Sequence, residues 1–387
     1  MKGTVTLSRI VIVGALAESL VNFRGDLIKS LVAAGHDVVA MAGNPDGFDV
    51  ATRIEALGAT FKAYPVQRNG MDPRRDFATL LSLRAAFVEI NPDVVLAYTI
   101  KPVIWGALAL RTLRSKARFF ALITGLGLAF QPGGVKQSAL TNLVTCLYRW
   151  ALVRAEKVVF QNQDNRQLFA DRRIVALERC KTVSGSGVNV AHFEAADLHA
   201  GNAVFLTIAR LLGDKGLREF AQAAHIVKKR HPEAVFNLVG PSDPSPDGIS
   251  LAEVESWRLS GAVNYLGASN DVRPFIEACH VYVLPSYHEG MPRTVLEAMS
   301  MGRPVLTTDV PGCRETVVAG ENGYLVPKQN SRELAERMIW FIEHREQWQG
   351  MGQASRRLAE ERFDVHKINA DMLGIMGLST APGRDLS

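Results

Sequence analysis

The chain has 387 residues, 47% hydrophobic and 21% charged, with a mean hydropathy of +0.05; it can fill two cores, and disorder or fibrous structure is excluded. Four scattered cysteines (Cys146, Cys180, Cys279, Cys313), with no Cys-x-x-Cys pair and no His at ligand spacing, argue against a disulfide scaffold or a zinc site and fit a reducing compartment. The net charge of +5 is uneven: residues 1–190 hold 24 Lys and Arg against 14 Asp and Glu, and residues 191–387 hold 20 against 25, so the first half is suited to an anionic partner such as nucleic acid, a bilayer surface or a phosphorylated substrate.

In chain order, short β-branched runs alternate with helical patterns. Arg9–Gly14 is predicted to be a buried parallel strand entering a loop; its apolar stretch is too short for a signal peptide and Glu18 follows at once. A helix at Phe23–Ala34, the turn Gly35-His36-Asp37, and strands Val38–Ala42 and Phe61–Tyr64 follow. Next come helix Phe77–Ile90, broken by Asn91-Pro92, strand Val94–Tyr98, helix Val103–Leu113 and strand Arg118–Thr124. An amphipathic helix, Ser138–Arg154, precedes strand Lys157–Phe160. Its Leu140, Leu143, Val144, Leu147, Trp150 and Ala151 suit either an interfacial helix, with Tyr148 and Trp150 at headgroup level, or a helix packed on a sheet. The small-residue segment Ser184–Asp197 reads as a linker. Alternation then resumes with strands Ala203–Ile208, Val235–Val239, Val263–Leu266, Val281–Leu284 and Pro304–Thr307 among helices, and Ser331–Arg362 and His366–Met376 read as helix. No run reaches the roughly 18–20 apolar residues of a membrane span; Phe119–Phe130 comes closest and carries Thr124, Gly125 and Gly127. The pattern predicts an α/β architecture of two Rossmann-like domains, residues 1–190 and 191–362, with ligands beyond the carboxyl ends of the strands in a cleft between them, and a terminal helix and tail at 363–387 that can cross back to the first domain.

Two constellations carry chemistry. In the segment from Leu284 to Ala298 a strand ends, a loop holds Glu289 and Gly290, and a helix starts at Pro292–Thr294. Proline suits a first helical turn, whose free N–H groups and dipole attract phosphate. Glu289 and Glu297, eight residues apart, can meet different hydroxyl-bearing parts of one ligand. Arg210 and Lys215 follow another strand, and two cations at a strand end suit a diphosphate. A dinucleotide fingerprint and a Gly-x4-Gly-Lys-Ser/Thr loop are both lacking, which disfavours a dehydrogenase and an ATPase. No Asp-x-Asp triplet occurs.

Glu289–Glu297 resembles the E-x7-E motif of family 4 retaining glycosyltransferases of the GT-B fold, and Arg210 with Lys215-Gly216 resembles that family's basic pair. Gly35-His36-Asp37-Val38, Gly185-Ser186-Gly187-Val188-Asn189, Pro311-Gly312 with Glu315, and Glu321-Asn322-Gly323-Tyr324-Leu325-Val326 resemble further family segments in family order, with Asn189 where Asp is usual. Tyr98–Pro102, Ile123–Gly127 and Ser260–Gly267 are similar to a bacterial subgroup that extends polyprenyl-diphosphate-linked sugars, N-acetylgalactosaminyltransferases among them.

The resemblance implies roles. Arg210 and Lys215 would bind the donor diphosphate, Glu289 the donor sugar and Glu297 the ribose. Gly290, Met291, Pro292, Arg293 and Thr294 would cradle phosphate, Gly267 would lie by the base, and Gly14 would be a close-approach loop. Arg24, Lys101, Thr124 and Gly125 would face the acceptor or donor phosphate. It further implies a UDP-sugar donor without cofactor or metal, a lipid-linked saccharide acceptor, an anionic membrane surface and no nucleic acid as partners, and a peripheral place on the inner face of the cytoplasmic membrane. Two rival readings are a UDP-N-acetylglucosamine 2-epimerase on the same fold, whose expected His/Asp/Glu acid–base set is not visible, and a non-catalytic scaffold at the membrane surface.

Overall fold

The apolar runs become parallel strands covered on both faces, as continuous Val/Ile/Leu runs require. In the computed structural model, which describes residues 7–44, 49–67, 70, 72–127, 130 and 134–378, the first unit comprises residues up to Ser186 and those from His366 on. Its elements are β1 (Arg9–Leu16), α1 (Ala17–Ala33), β2 (Asp37–Gly43), α2 (Val50–Glu55), β3 (Thr60–Ala63), α3 (Pro73–Ile90), β4 (Val94–Tyr98), α4 (Ile100–Thr112), β5 (Arg118–Ile123), α5 (Val135–Ala151), β6 (Lys157–Phe160), α6 (Gln163–Asp171) and β7 (Cys180–Thr182). The sheet order is β3-β2-β1-β4-β5-β6-β7, so the order reverses between β1 and β4. The two-residue side-chain period of the strands feeds two cores. Ile10 and Ile12 join Val38, Val94 and α1 on one face, while Val11 and Val13 join Val39, Val95, α3, α4 and α5 on the other.

Gly187–Val365 form the second unit. It holds β8 (Val204–Ile208), α7 (Leu217–Lys228), β9 (Val235–Val239), α8 (Leu251–Leu259), β10 (Asn264–Tyr265), α9 (Arg273–Glu277), β11 (Val281–Leu284), α10 (Arg293–Ser300), β12 (Val305–Thr308), β13 (Gly323–Val326), α11 (Ser331–Glu343) and α12 (Trp348–Leu358). The order β10-β9-β8-β11-β12-β13 reverses between β8 and β11. The last helix, α13 (Val365–Met376), packs Ile368, Met372, Leu373 and Met376 with α1 in the first unit.

Several boundaries differ from the sequence reading. The units change over between Ser186 and Gly187, inside the predicted linker, and the second ends at Val365; the predicted tail at 379–387 lies outside the described residues. β1 continues past Gly14 through a register shift to Leu16, and α1 begins directly at Ala17 with Glu18 in its first turn, where an acid favours the helix dipole. α2, α6, β7 and β13 are too short or too polar to stand out as periodic runs. The amphipathic helix spans Val135–Ala151, with a 3-10 turn at Leu152–Arg154. The residues read as its single apolar stripe divide: Val144 and Ala151 are buried and Leu140 and Leu147 pack on the core, whereas Leu143 and Trp150 are exposed. Tyr148, which the interfacial alternative put at headgroup level, is buried against Phe169, in line with the alternative of a packed helix.

Candidate active site

In the second unit, four loops meet beyond the carboxyl ends of β8, β9, β11 and β12. Arg210 leaves the end of β8, and its guanidinium donates to Asp243, in the loop after β9. The Arg210 side chain is 41% exposed, so this pairing leaves it reachable from solvent. Burial opposes ionisation of Asp243, but hydrogen bonds from Ser245 and the charge of Arg210 outweigh it and hold its carboxyl below the usual range. Lys215 ends a 3-10 turn, Gly213–Lys215, and its Nζ donates to Glu289 Oε1 at 2.7 Å. Ser286 Oγ donates to the same oxygen at 2.8 Å. Burial penalises the ammonium, yet Glu289 and Asp214 more than offset it and keep Lys215 above the ordinary lysine range. The turn requires Gly216: its φ is +67°, and a Cβ there would lie 2.0 Å from the Pro285 carbonyl oxygen. The loop bearing Lys215 therefore rests directly on the loop leading to Glu289.

α10 starts after Pro292, as its sequence implied. Glu297, one turn in, is a buried carboxyl 6% exposed, and accepts from Arg293 Nε at 2.9 Å. Burial dominates over that cation and pushes its pKa up to about 7. Thr294 Oγ1 donates to the Ile208 carbonyl at 3.3 Å and so ties α10 to the end of β8. Gly267 follows β10, and its carbonyl accepts from Gly240 N at 2.8 Å. Arg210, Lys215, Glu289, Gly290, Met291, Pro292, Arg293, Thr294, Glu297 and Gly267 thus all lie along one edge of the sheet, with the reversal point between β8 and β11 at its centre. That is the position at which open α/β sheets take ligands. Sequence reasoning missed Asp243 and Ser286; Asp243 sits in an ordinary Pro-Ser-Asp turn, and nothing local distinguishes it.

The first unit gathers a second polar cluster at the ends of β1, β4 and β5. Lys101, in the first turn of α4, donates to Asp76 of α3 at 2.7 Å, and both side chains are largely buried. Thr124 and Gly125 follow β5 half-buried, with open space around Gly125. Arg24 does not project beyond a strand end. It is buried on α1, its guanidinium 5.1 Å from the centre of the Tyr98 ring. Gly14 is buried within β1 and its carbonyl accepts from the Tyr64 hydroxyl at 2.8 Å. A Cβ on Gly14 would stand 2.2 Å from the Tyr98 hydroxyl, so the close approach that needs this glycine is made by Tyr98. Tyr98 is held by Ser19, 2.7 Å away, and burial pushes its phenol up to about 12. Gly14→Ala is expected to destabilise the protein by about 1–3 kcal/mol, the cost of overpacking, read as a lower urea midpoint at constant slope. An unchanged midpoint would show that Tyr98 moves aside freely.

The doubly wound order in both units is that of GT-B glycosyltransferases. Solved structures share it. Anabaena HepE in complex with UDP-glucose superposes with a TM-score of 0.77 at 20% identity, covering 96% of this chain and 99% of that one. Sucrose-phosphate synthase from Thermosynechococcus elongatus gives 0.77 at 18% identity, covering 95% and 98%. The family follows from two models, "Glycosyl transferase 4-like domain" over residues 22–184 and "Glycosyl transferases group 1" over residues 202–344. The chain belongs to the glycosyltransferases that combine these two domains. Among its relatives is the N,N'-diacetylbacillosaminyl-diphospho-undecaprenol alpha-1,3-N-acetylgalactosaminyltransferase of Campylobacter jejuni, 28% identical over 338 residues, 84% of this chain and 87% of that protein. Another is the UDP-Gal:alpha-D-GlcNAc-diphosphoundecaprenol alpha-1,3-galactosyltransferase of Escherichia coli, 26% identical over 274 residues, 65% and 67% of the two chains.

Proposed function

We propose that this glycosyltransferase moves a hexose or N-acetylhexosamine from a UDP-sugar to a polyprenyl-diphosphate-linked saccharide during surface-glycan biosynthesis, with retention at the anomeric carbon and without a metal ion. The observation that carries the reading is the joining of Lys215 to Glu289 beside Arg210 at the ends of β8 and β11. A bound diphosphate supplies the negative charge that Asp243 and Glu289 now supply to the two cations, and Glu289 is then available to the donor sugar's hydroxyls. The first turn of α10 faces phosphate with N–H groups, and Glu297 accepts from the ribose.

In the transfer, the bond from the anomeric carbon to the β-phosphate oxygen breaks while the acceptor hydroxyl attacks from the same face. The departing phosphate oxygen takes the hydroxyl proton, so the protein need not supply a strong base. Its share is positioning and stabilisation of the charge growing on the leaving diphosphate, by Arg210 and Lys215. In the first unit, Lys101, Thr124 and Gly125 at the strand ends are the acceptor-side groups. The names of the relatives from Campylobacter and Escherichia support the lipid-linked acceptor, and the basic first half supports peripheral attachment to the inner face of the cytoplasmic membrane. Among the described residues no helix is long and apolar enough to cross a membrane.

Titration calorimetry with UDP is the test. Saturable one-site binding is expected, and no heat at millimolar UDP would overturn the reading. Labelled UDP-sugars offered with and without a polyprenyl-diphosphate saccharide then identify the reaction. UDP release only with acceptor, undiminished by EDTA, fits metal-independent transfer, whereas acceptor-independent release points to epimerase chemistry.

A further inference from the structure

Helix α5 is apolar on two opposite sides. The inner side, with Val144, Tyr148 and Ala151, is buried in the first unit's core. The outer side carries Val135, Ala139, Leu143, Cys146 and Trp150, continued by Val153 in the next turn, at steps of four, four, three, four and three residues. All six are exposed, Val135 by 87%, Leu143 by 49%, Trp150 by 53% and Val153 by 59%. Isolated exposed apolar residues are ordinary; six in one helical row form a continuous face that water solvates poorly.

The charge along this stretch of chain has one sign. From residue 94 to residue 155 the chain has eight Lys and Arg and no Asp or Glu. Lys101 and Arg118 are paired with Asp76 and Glu156. Lys136, Arg149 and Arg154 flank the row itself. Arg111 of α4 lies 5.3 Å from the Trp150 ring centre and donates to the Trp150 carbonyl at 3.1 Å, and Arg111 and Arg154 line one shallow recess between α4 and α5. Among the described residues none of these four cations is in an ion pair with a carboxylate. A second copy of the chain is a poor occupant, because a two-fold contact through this face would oppose like charges. An apolar row with an interfacial tryptophan and a cationic rim matches an anionic bilayer, whose acyl boundary takes the row and whose phosphates take the rim.

We infer that the outer face of α5 is the surface by which this protein docks on an anionic phospholipid bilayer, an inference that rests on the lipid-linked acceptor reading above only for its biological purpose. The protein provides its own probe. Cys146 lies in the row and is exposed, while Cys180, Cys279 and Cys313 are buried, so a maleimide-linked polarity-sensitive dye reports from this face. With vesicles of phosphatidylcholine and phosphatidylglycerol at low salt, the labelled full chain is expected to co-sediment and its emission to shift to the blue. Both signals should fall steeply as salt is raised and be absent with phosphatidylcholine alone. In unlabelled protein, Leu143→Ser with Trp150→Ser, or Arg149→Gln with Arg154→Gln, should each weaken vesicle binding roughly tenfold or more while leaving UDP affinity unchanged. Four results overturn the inference: no vesicle binding, binding with no shift at Cys146, equal binding to neutral vesicles, or a shift that grows with protein concentration without vesicles, which marks self-association. UDP affinity, measured on the same preparations, separates this failure from failure of the transferase reading.

Discussion

Lys215→Met should lower transfer by roughly 10²–10³-fold at saturating donor, the range for removing one preorganised donor from a developing negative charge. Lys215 is suited to so large an effect because its Nζ is already placed. It is held at 2.7 Å from Glu289, on a turn locked by Gly216 against Pro285, with its side chain 15% exposed. Little reorganisation is then needed when a diphosphate arrives. Methionine keeps the length and removes the charge, which limits the packing change. Glu289 loses its cation but keeps the Ser286 hydroxyl. The effect should appear in kcat as well as in kcat/KM, because the interaction strengthens as the leaving group gains charge. Arg210→Ala should fall in a similar range while leaving circular dichroism unchanged, since the guanidinium lies in a loop and reaches solvent. Full turnover by either variant at saturating donor would remove that residue from the leaving-group site.

Glu297→Gln should stabilise the protein at pH 8 and weaken donor binding at the same pH. The carboxyl's pKa is raised to about 7 by burial, against the pull of Arg293. Between the ordinary glutamate value and 7 the folded state therefore holds more protons than the unfolded state, and stability falls as pH rises across that window. Above it, the buried carboxylate costs on the order of a few kcal/mol, since each tenfold weakening of an acid on folding corresponds to about 1.4 kcal/mol. Glutamine removes that cost and flattens the slope between pH 5 and 8. Arg293, its side chain 26% exposed, can turn to water when its partner goes. In the proposed ribose-binding role the cost of the change is functional: the amide would offer the ribose a single neutral acceptor where the carboxylate offers two charged oxygens. A charge-assisted hydrogen bond is worth about 1.5–3 kcal/mol, so UDP affinity should drop by roughly tenfold to a hundredfold while kcat holds, because the ribose does not react. Urea melts at pH 5 and pH 8 with calorimetry at pH 8 test both halves. An unchanged UDP affinity rejects the ribose role, and an unchanged melt at pH 8 rejects the buried-carboxylate cost.

Much of this protein is determined locally, and the sequence alone shows that part. Ile10–Val13 and Val94–Tyr98 are runs that only a two-sided sheet can bury, and both are wholly or almost wholly buried strands. Asn91-Pro92 ends α3, with Asn91 left-handed at φ +50° as a helix terminator often is. Pro292 marks the start of α10, and the strand-then-loop placement of Arg210, Lys215, Glu289 and Glu297 is enough to put them along one sheet edge. The tertiary structure alone decided how distant side chains pair. Arg210 meets Asp243, 33 residues on, and Lys101 meets Asp76, 25 residues back; Gly14 is glycine because Tyr98 covers it, 84 residues away. The periodicity of α5 shows that it is apolar but not which residues face the core, since both of its sides carry apolar rows and only its packing in the first unit's core selects Val144, Tyr148 and Ala151 for burial. Backbone periodicity is set within a turn or two of chain, so it is legible in a window of residues. Partner choice between side chains follows strand order and the direction each Cβ takes from its element, and neither exists until the sheets have formed.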